Sequence, residues 1–331
     1  MRLVSMLFHV SRVWQRSSPR CIRSLAATTV KALYEEGLSS LRSSDISEPE
    51  ESARYLLLDV LQQGYRHSTF LQSLEKPLNA SQVTQFRSHI SRRLRNEPVQ
   101  YIIGNWDFFG LTFLCQAPVL IPRPETEELV EIILRRKLLG DVSEPYILDV
   151  GAGTGVIGIA LLSRLPGAKC LAIDINPTAV NLSRENAARI LGRDSNRYHC
   201  QHMSLAELAG NTVFRQKFDL IVSNPPYIPV EEMATLQPEV GAFEDERALC
   251  GGREGLDVVS QLIGSAQALL SPTGPRELWM EVSHRHPAMI ERLLRPPNQC
   301  EMEFVESIVD LSGKPRFVRL RCADPSESLR L

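Results

Sequence analysis

Apolar residues recur along the chain with two different spacings, and the change of spacing divides it. Over residues 29–96 the period is helical. Residues 31–41 form one predicted helix. Ser47-Glu-Pro-Glu opens the next, with Ser47 as candidate N-cap and Pro49 and acids in the first turn. Tyr55, Leu56, Leu58 and Leu61 then make the inward face of residues 52–63. Ser81 is the candidate cap of a third helix running to residue 95. Its face includes Val83, Phe86, Ile90 and Leu94, and Arg92, Arg93 and Arg95 suit its negative end. Residues 98–104 and 111–115 flank Gly110 and read as a β-hairpin. Ile121-Pro-Arg-Pro-Glu-Thr-Glu-Glu128 opens a helix to residue 139, its prolines fixing the entry and Glu125, Glu127 and Glu128 lying at the positive end.

Beyond this point short apolar runs alternate with helical stretches. The runs are 146–150, 169–173, 197–201, 218–223 and 277–282, and then 302–309 and 316–322 as an antiparallel pair. Five βα units and a closing hairpin predict an α/β fold: a mostly parallel seven-stranded sheet with helices on both faces, preceded by a small helical domain.

Composition removes several function classes. A net charge of -2 offers no basic surface for direct, sequence-independent nucleic-acid binding. No apolar run approaches the roughly eighteen residues of a membrane span. The seven cysteines are scattered without a C-x-x-C pair, so no zinc site is expected. The first thirty-four residues differ from the rest: they lack Asp and Glu but carry Arg2, Arg12, Arg16, Arg20, Arg23 and Lys31 among several serines. Leu3, Met6, Leu7, Val10 and Val13 share one helical face. An Arg-rich, Ser-rich, acid-free leader is the composition of a transit peptide, here placed over residues 1–28 and directing the protein to the mitochondrial matrix.

Two stretches carry candidate chemistry. Tyr146-Ile-Leu-Asp-Val150 is a strand that runs into Gly151-Ala152-Gly153-Thr154-Gly155, where glycine admits positive φ and lets a ligand reach the backbone. About twenty residues on, a second strand ends in Asp174, an acid placed to accept ribose hydroxyls. This is a nucleoside-binding half-domain; the acids at 125, 127 and 128 are read first as compensating the helix dipole, with a reach of Thr126 and Glu127 over the glycine turn as the alternative. Gly153, Gly155 and Gly158 also satisfy G-x-G-x-x-G, so a dinucleotide remains open at this stage. The second stretch, Asn224-Pro225-Pro226-Tyr227, falls at the carboxyl end of the fourth strand and hence at the same rim. An amide oxygen and a carbonyl held by Pro-Pro suit a planar –NH2 group, and Tyr227 offers a flat face. Such a group is a poor nucleophile. Fixing both N–H bonds opposite a methyl donor promotes transfer, whereas hydride transfer has no use for the arrangement.

On these residues the chain resembles the HemK-type protein-(glutamine-N5) methyltransferases of peptide chain release factors. Asp149-Val-Gly-Ala-Gly-Thr-Gly155 is similar to the S-adenosylmethionine motif of class I (Rossmann-like) methyltransferases, and Asn224-Pro-Pro-Tyr227 to the tetrad of those acting on planar nitrogens. The similarity extends through Pro98-Val-Gln-Tyr-Ile-Ile-Gly104 and Ile121-Pro-Arg-Pro-Glu-Thr-Glu127. The resemblance implies S-adenosyl-L-methionine held by Gly151 to Gly155, Asp174, Met203 and Asn224. It implies a glutamine held by Asn224, Pro225, Pro226 and Tyr227, with Asn224, Pro225 and Tyr227 acting in the transfer. The partner would be a mitochondrial release factor, met by a monomer through residues 29–96. Residues 97–121 would link that domain to a methyltransferase domain over 122–331. Two stretches depart from the family pattern: Gln201-His-Met-Ser204 replaces an acid and an aromatic near the adenine, and Phe243-Glu-Asp-Glu-Arg-Ala-Leu249 lacks the usual acid-proline pair. An adenine-N6 methyltransferase and a non-enzymatic module with a vestigial cofactor fold are the alternatives.

Overall fold

The computed structural model describes residues 28–140, 142–295 and 301–323. The leader expected over 1–28 lies, but for Thr28, outside them. The first apolar period builds α1 (Val30–Ser43), α2 (Pro49–Val60), α3 (His67–Ser73), α4 (Ala80–Arg93) and α5 (Val99–Ile103). Their inward faces close over Leu33, Leu41, Leu56, Leu57 and Phe86, all buried.

Four details differ from the sequence expectation. Asn79, not Ser81, caps α4: its side chain accepts from Gln82 N at 2.9 Å, and the Gln82 side chain accepts from Asn79 N at 3.0 Å. This reciprocal box satisfies two otherwise orphaned donors. Ser47 does not cap α2, because its hydroxyl is drawn to Glu239 across the molecule. The short helix α3 was not anticipated. Residues 98–104 are helical rather than extended, with Pro98 preceding α5 and Gly104 ending it at φ 83°. That is proline-before, glycine-after helix punctuation. The hairpin is β1 (Asn105–Phe108) with β2 (Leu111–Leu114), turning through Phe109 and Gly110 at positive φ.

After α6 (Pro124–Arg136) the chain forms a sheet of seven strands. They are β3 (Tyr146–Val150), β4 (Lys169–Asp174), β5 (Tyr198–His202), β6 (Leu220–Ser223), β7 (Glu277–Glu281), β8 (Met302–Val309) and β9 (Pro315–Cys322), in spatial order β5-β4-β3-β6-β7-β9-β8. The first five are mutually parallel and β9 runs antiparallel to both its neighbours. Alternate strand residues serve opposite faces. Ile147, Cys170, Val222 and Trp279 pack with α6, α7 (Val156–Arg164) and α8 (Pro177–Leu191). Leu148, Leu171, Ile221 and Met280 pack with α9 (Leu205–Gly210), α12 and α13. Here α10 is Pro238–Gly241, α11 Glu246–Leu249, α12 Asp257–Leu269 and α13 His286–Leu293. Both faces are covered, which is why the central strands read as unbroken apolar runs.

Candidate active site at the switch point of the sheet

The strand order reverses at β3: the chain moves outward to β4 and β5, then returns to place β6 on the other side. In an open parallel sheet the crevice at such a reversal receives the ligand. Ser223 Oγ donates to Val150 O at 2.7 Å, tying the ends of the two strands together. The glycine turn and Asn224 therefore leave the sheet side by side.

The glycines divide the work. A Cβ on Gly151 or Gly153 would meet no heavy atom within 4 Å, and both have positive φ, at 75° and 55°. Their backbone is open toward a cavity of about 350 Å³. Gly155 and Gly158 are there for packing instead: a Cβ would fall 2.7 Å from Ile159 and 2.9 Å from Cys170 respectively. Asp174 joins the two βα turns, accepting from Gly153 N at 2.9 Å and Asn176 N at 2.8 Å. Burial nonetheless pushes its carboxyl pKa up. Asp149 lies deeper. Its Oδ2 accepts from Gly158 N at 3.0 Å, its Oδ1 has no partner, and burial lifts its pKa to about 7.

Gly151, Gly153, Asp174, Met203, Asn224 and Pro226 line the cavity, whereas Ala152, Thr154 and Gly155 are buried behind it. Thr154 acts through its carbonyl, which takes a hydrogen bond from Asn186 at 2.9 Å. His202 is exposed, bonded to Ile175 O at 3.0 Å, and Met203 occupies the place beside it on the cavity wall. An open glycine backbone, a carboxylate and an apolar wall fit a nucleoside with a short polar chain.

Asn224 stands where this cavity meets a second one of about 220 Å³, lined by Pro225, Tyr227, Leu236, Val240 and Arg123 among others. Its Nδ2 donates to Thr126 Oγ1 at 3.0 Å, and Thr126 donates in turn to Glu281 Oε2 at 2.7 Å. The carboxylate can only accept, so it commits the hydroxyl proton. The hydroxyl's lone pair then fixes which end of the Asn224 amide it meets. Oδ1 is the end of the amide that Thr126 does not take, on a residue that lines both cavities. Tyr227 Oη donates to the other Glu281 oxygen at 3.3 Å. Thr126 is thus brought to the site, but onto Asn224 rather than over the glycine turn, and Glu127 lines neither cavity. Glu281 was missed by sequence reasoning. It is 1% exposed, and burial pushes its pKa up. The signal was an acid closing a parallel strand within a fully buried run.

The second cavity is walled in part by residues 229–249, an excursion that leaves at Ile228 and returns at Cys250 through a parallel bridge. Glu244 pins it to Arg123 by two contacts of 2.7 and 2.8 Å, and Asp245 pins it to Asn176 at 2.8 Å.

Two family models match the chain: a PrmC N-terminal domain over residues 32–104 and a methyltransferase small domain over residues 130–237. A human protein named MTRF1L release factor glutamine methyltransferase is 38% identical over 85% of this chain and 83% of its own. The chain belongs to the release factor glutamine methyltransferase family. A second member of that family, from Deinococcus radiodurans, is 35% identical over 89% of this chain and 99% of its own. Among solved structures, the hMettl16 catalytic domain superposes with a TM-score of 0.50 at 16% identity, covering 66% of this chain and 77% of that one. It shares the class I fold. The protein is a methyltransferase and its cofactor is S-adenosylmethionine. In this family member the open turn at Gly151 and Gly153, the Asp174 carboxylate and Met203 are the groups that fit it.

Proposed function

We propose that the protein transfers a methyl group to the side-chain amide nitrogen (N5) of the glutamine in the Gly-Gly-Gln motif of a mitochondrial peptide chain release factor, supporting translation termination. The observation that carries this reading is Asn224, which lines both cavities at their junction with its amide nitrogen held by Thr126. Gly151, Gly153, Asp174 and Met203 hold S-adenosylmethionine, with Ala152, Thr154 and Gly155 shaping the turn from behind. When bound, that cofactor supplies an electrophilic methyl group on a sulfonium.

Asn224 Oδ1 and the Pro225 carbonyl accept the two N–H bonds of the glutamine carboxamide. Pro226 faces the donor side, and the Tyr227 ring closes the acceptor side. Holding both N–H bonds favours the bent, nucleophilic nitrogen over the planar one. Both acceptors strengthen as positive charge develops on that nitrogen, so they lower the barrier more than they tighten binding. The methyl's bond to sulfur breaks as the N–C bond forms, leaving a neutral thioether. No base is needed before transfer, because the nitrogen's proton becomes acidic only afterwards and is then lost to water. Residues 29–96 dock the factor, 97–121 link that unit to the methyltransferase domain over 122–331, and the protein acts as a monomer without direct nucleic-acid contact. The acid-free, Arg-rich composition of residues 1–28 supports the mitochondrial matrix as its location.

The test is transfer of label from S-adenosylmethionine to a mitochondrial release factor, to the same factor with its Gly-Gly-Gln glutamine changed to Ala, and to adenine-containing DNA and RNA. Label on the intact factor alone is expected. Label on nucleic acid would replace this reading with adenine-N6 methylation.

A further inference from the structure

The helical unit touches the wall of the acceptor cavity through one buried ion pair. Arg93, at the end of α4, is 4% exposed, and its guanidinium is fully engaged. Nε donates to Ser52 Oγ at 3.1 Å and Nη1 to Glu97 O at 3.4 Å. Nη2 donates to Ser47 O at 3.1 Å, to Ser47 Oγ at 2.8 Å and to Glu239 Oε1 at 3.2 Å. Ser47 Oγ donates to the same Glu239 oxygen. Glu239 begins the second position of α10, inside the 229–249 excursion, and the next residue, Val240, lines the acceptor cavity with Leu236. Burial raises the Glu239 pKa, but the bonds from Ser47 and Arg93 outweigh it and leave it below the ordinary value. The carboxylate is charged and held.

A surface used only for docking has no need of this arrangement. Burying a guanidinium is costly unless it is paired, and here its charged partner comes from the opposite unit. We propose that Arg93 and Ser47, acting through Glu239, position the wall of the acceptor cavity, so that the helical unit shapes the glutamine site as well as receiving the partner. This rests on the glutamine reading above. Glu239 is a positioning residue: it fixes Val240 and Leu236 and touches no reacting atom. Its loss therefore affects any acceptor that enters the cavity, however small.

The experiment compares the full chain with Glu239→Ala and the milder Glu239→Gln, on an intact release factor and on a short Gly-Gly-Gln peptide that reaches only the cavity. Amide hydrogen exchange is followed over residues 229–249. In Glu239→Ala, which removes the bonds from both Arg93 and Ser47, kcat/KM is expected to fall at least about tenfold for both acceptors, the scale of a lost charge-assisted hydrogen bond. Glu239→Gln, which keeps an oxygen acceptor for Arg93 but not its charge, should fall less, with cofactor affinity close to wild type and a lowered Tm. Exchange around residues 236–243 should speed up while the sheet stays protected. A loss confined to the KM of the intact factor, with the peptide unaffected, would reduce the helical unit to docking and overturn the proposal. Unchanged exchange would overturn it too. If the wild type labels neither acceptor, the glutamine reading fails on its own, and the exchange comparison still decides the latch.

Discussion

Thr126→Val replaces a hydroxyl by a methyl group of the same size at a 2% exposed position, so it tests the orientation of Asn224 with little change of packing. Two hydrogen bonds are lost, the 2.7 Å bond to Glu281 and the 3.0 Å bond from Asn224. A methyl group cannot distinguish the two ends of the amide, so Oδ1 and Nδ2 compete for the crevice. A neutral hydrogen bond of this kind is worth about 1–1.5 kcal/mol net, so kcat should fall about five- to tenfold. Removing the acceptor itself should cost about 10²–10³, the scale of a lost oxyanion-hole donor. The Glu281 bond is charge-assisted, and its loss should cost about 1.5–3 kcal/mol of stability. The assay is single-turnover methyl transfer at saturating cofactor, with cofactor Kd and Tm measured in parallel. Thr126→Ser keeps the hydroxyl and should restore the rate to within about threefold of wild type. If Thr126→Val transfers at the wild-type rate, or Ser is as slow as Val, Thr126 does not orient Asn224.

Three further outcomes follow from the same geometry. Asn224→Ala should lower turnover by about 10²–10³ while cofactor binding, read by calorimetry, stays nearly intact; unchanged transfer would refute the acceptor role. Asp174→Ala should weaken cofactor affinity about ten- to a hundredfold, since it removes both a ligand acceptor and the tie to Gly153, and an unchanged Kd would place the nucleoside elsewhere. The pKa of Asp149 is raised to about 7 from an ordinary 3.8, so the folded protein binds its proton more tightly than the unfolded chain. Its contribution to stability is full below the ordinary value and is lost as pH rises through about 7. The wild-type Tm should therefore fall relative to Asp149→Asn between about pH 4 and 7, and parallel Tm curves over that range would contradict the buried, proton-holding carboxyl.

The parts legible in the sequence are those set by neighbours along the chain. The strand run into Gly151 and the run into Asn224 announced themselves because covered parallel strands carry continuous apolar residues. What failed was set by distant partners. Thr126 was singled out for its place before the glycine turn, yet its contact with Asn224 spans 98 residues and Glu281 lies 155 residues away. Ser47 reads as an N-cap until Glu239, 192 residues on, takes its hydroxyl. Residues 98–104 misled for a different reason. Their apolar content suggested a strand, but the bounding Pro98 and Gly104 were helix signals already present and given too little weight. Glu281 was overlooked because it ends a run that otherwise reads as core.

The closure of the 229–249 excursion at the Ile228–Cys250 bridge has an evolutionary corollary. Its ends are fastened backbone to backbone, with Ile228 N on Leu249 O and Gly251 N on Ile228 O. Backbone pairing tolerates any side chain. The part of the segment before Glu244 can be lengthened, shortened or rewritten without touching the groups that line the glycine-turn cavity. A new acceptor can thus be acquired by exchanging an insert at fixed attachment points, while donor geometry is inherited unchanged. The present insert carries side-chain constraints as well: Glu244 must match Arg123 and Asp245 must match Asn176, and through Glu239 it must match Arg93, so it and the helical unit have to change together.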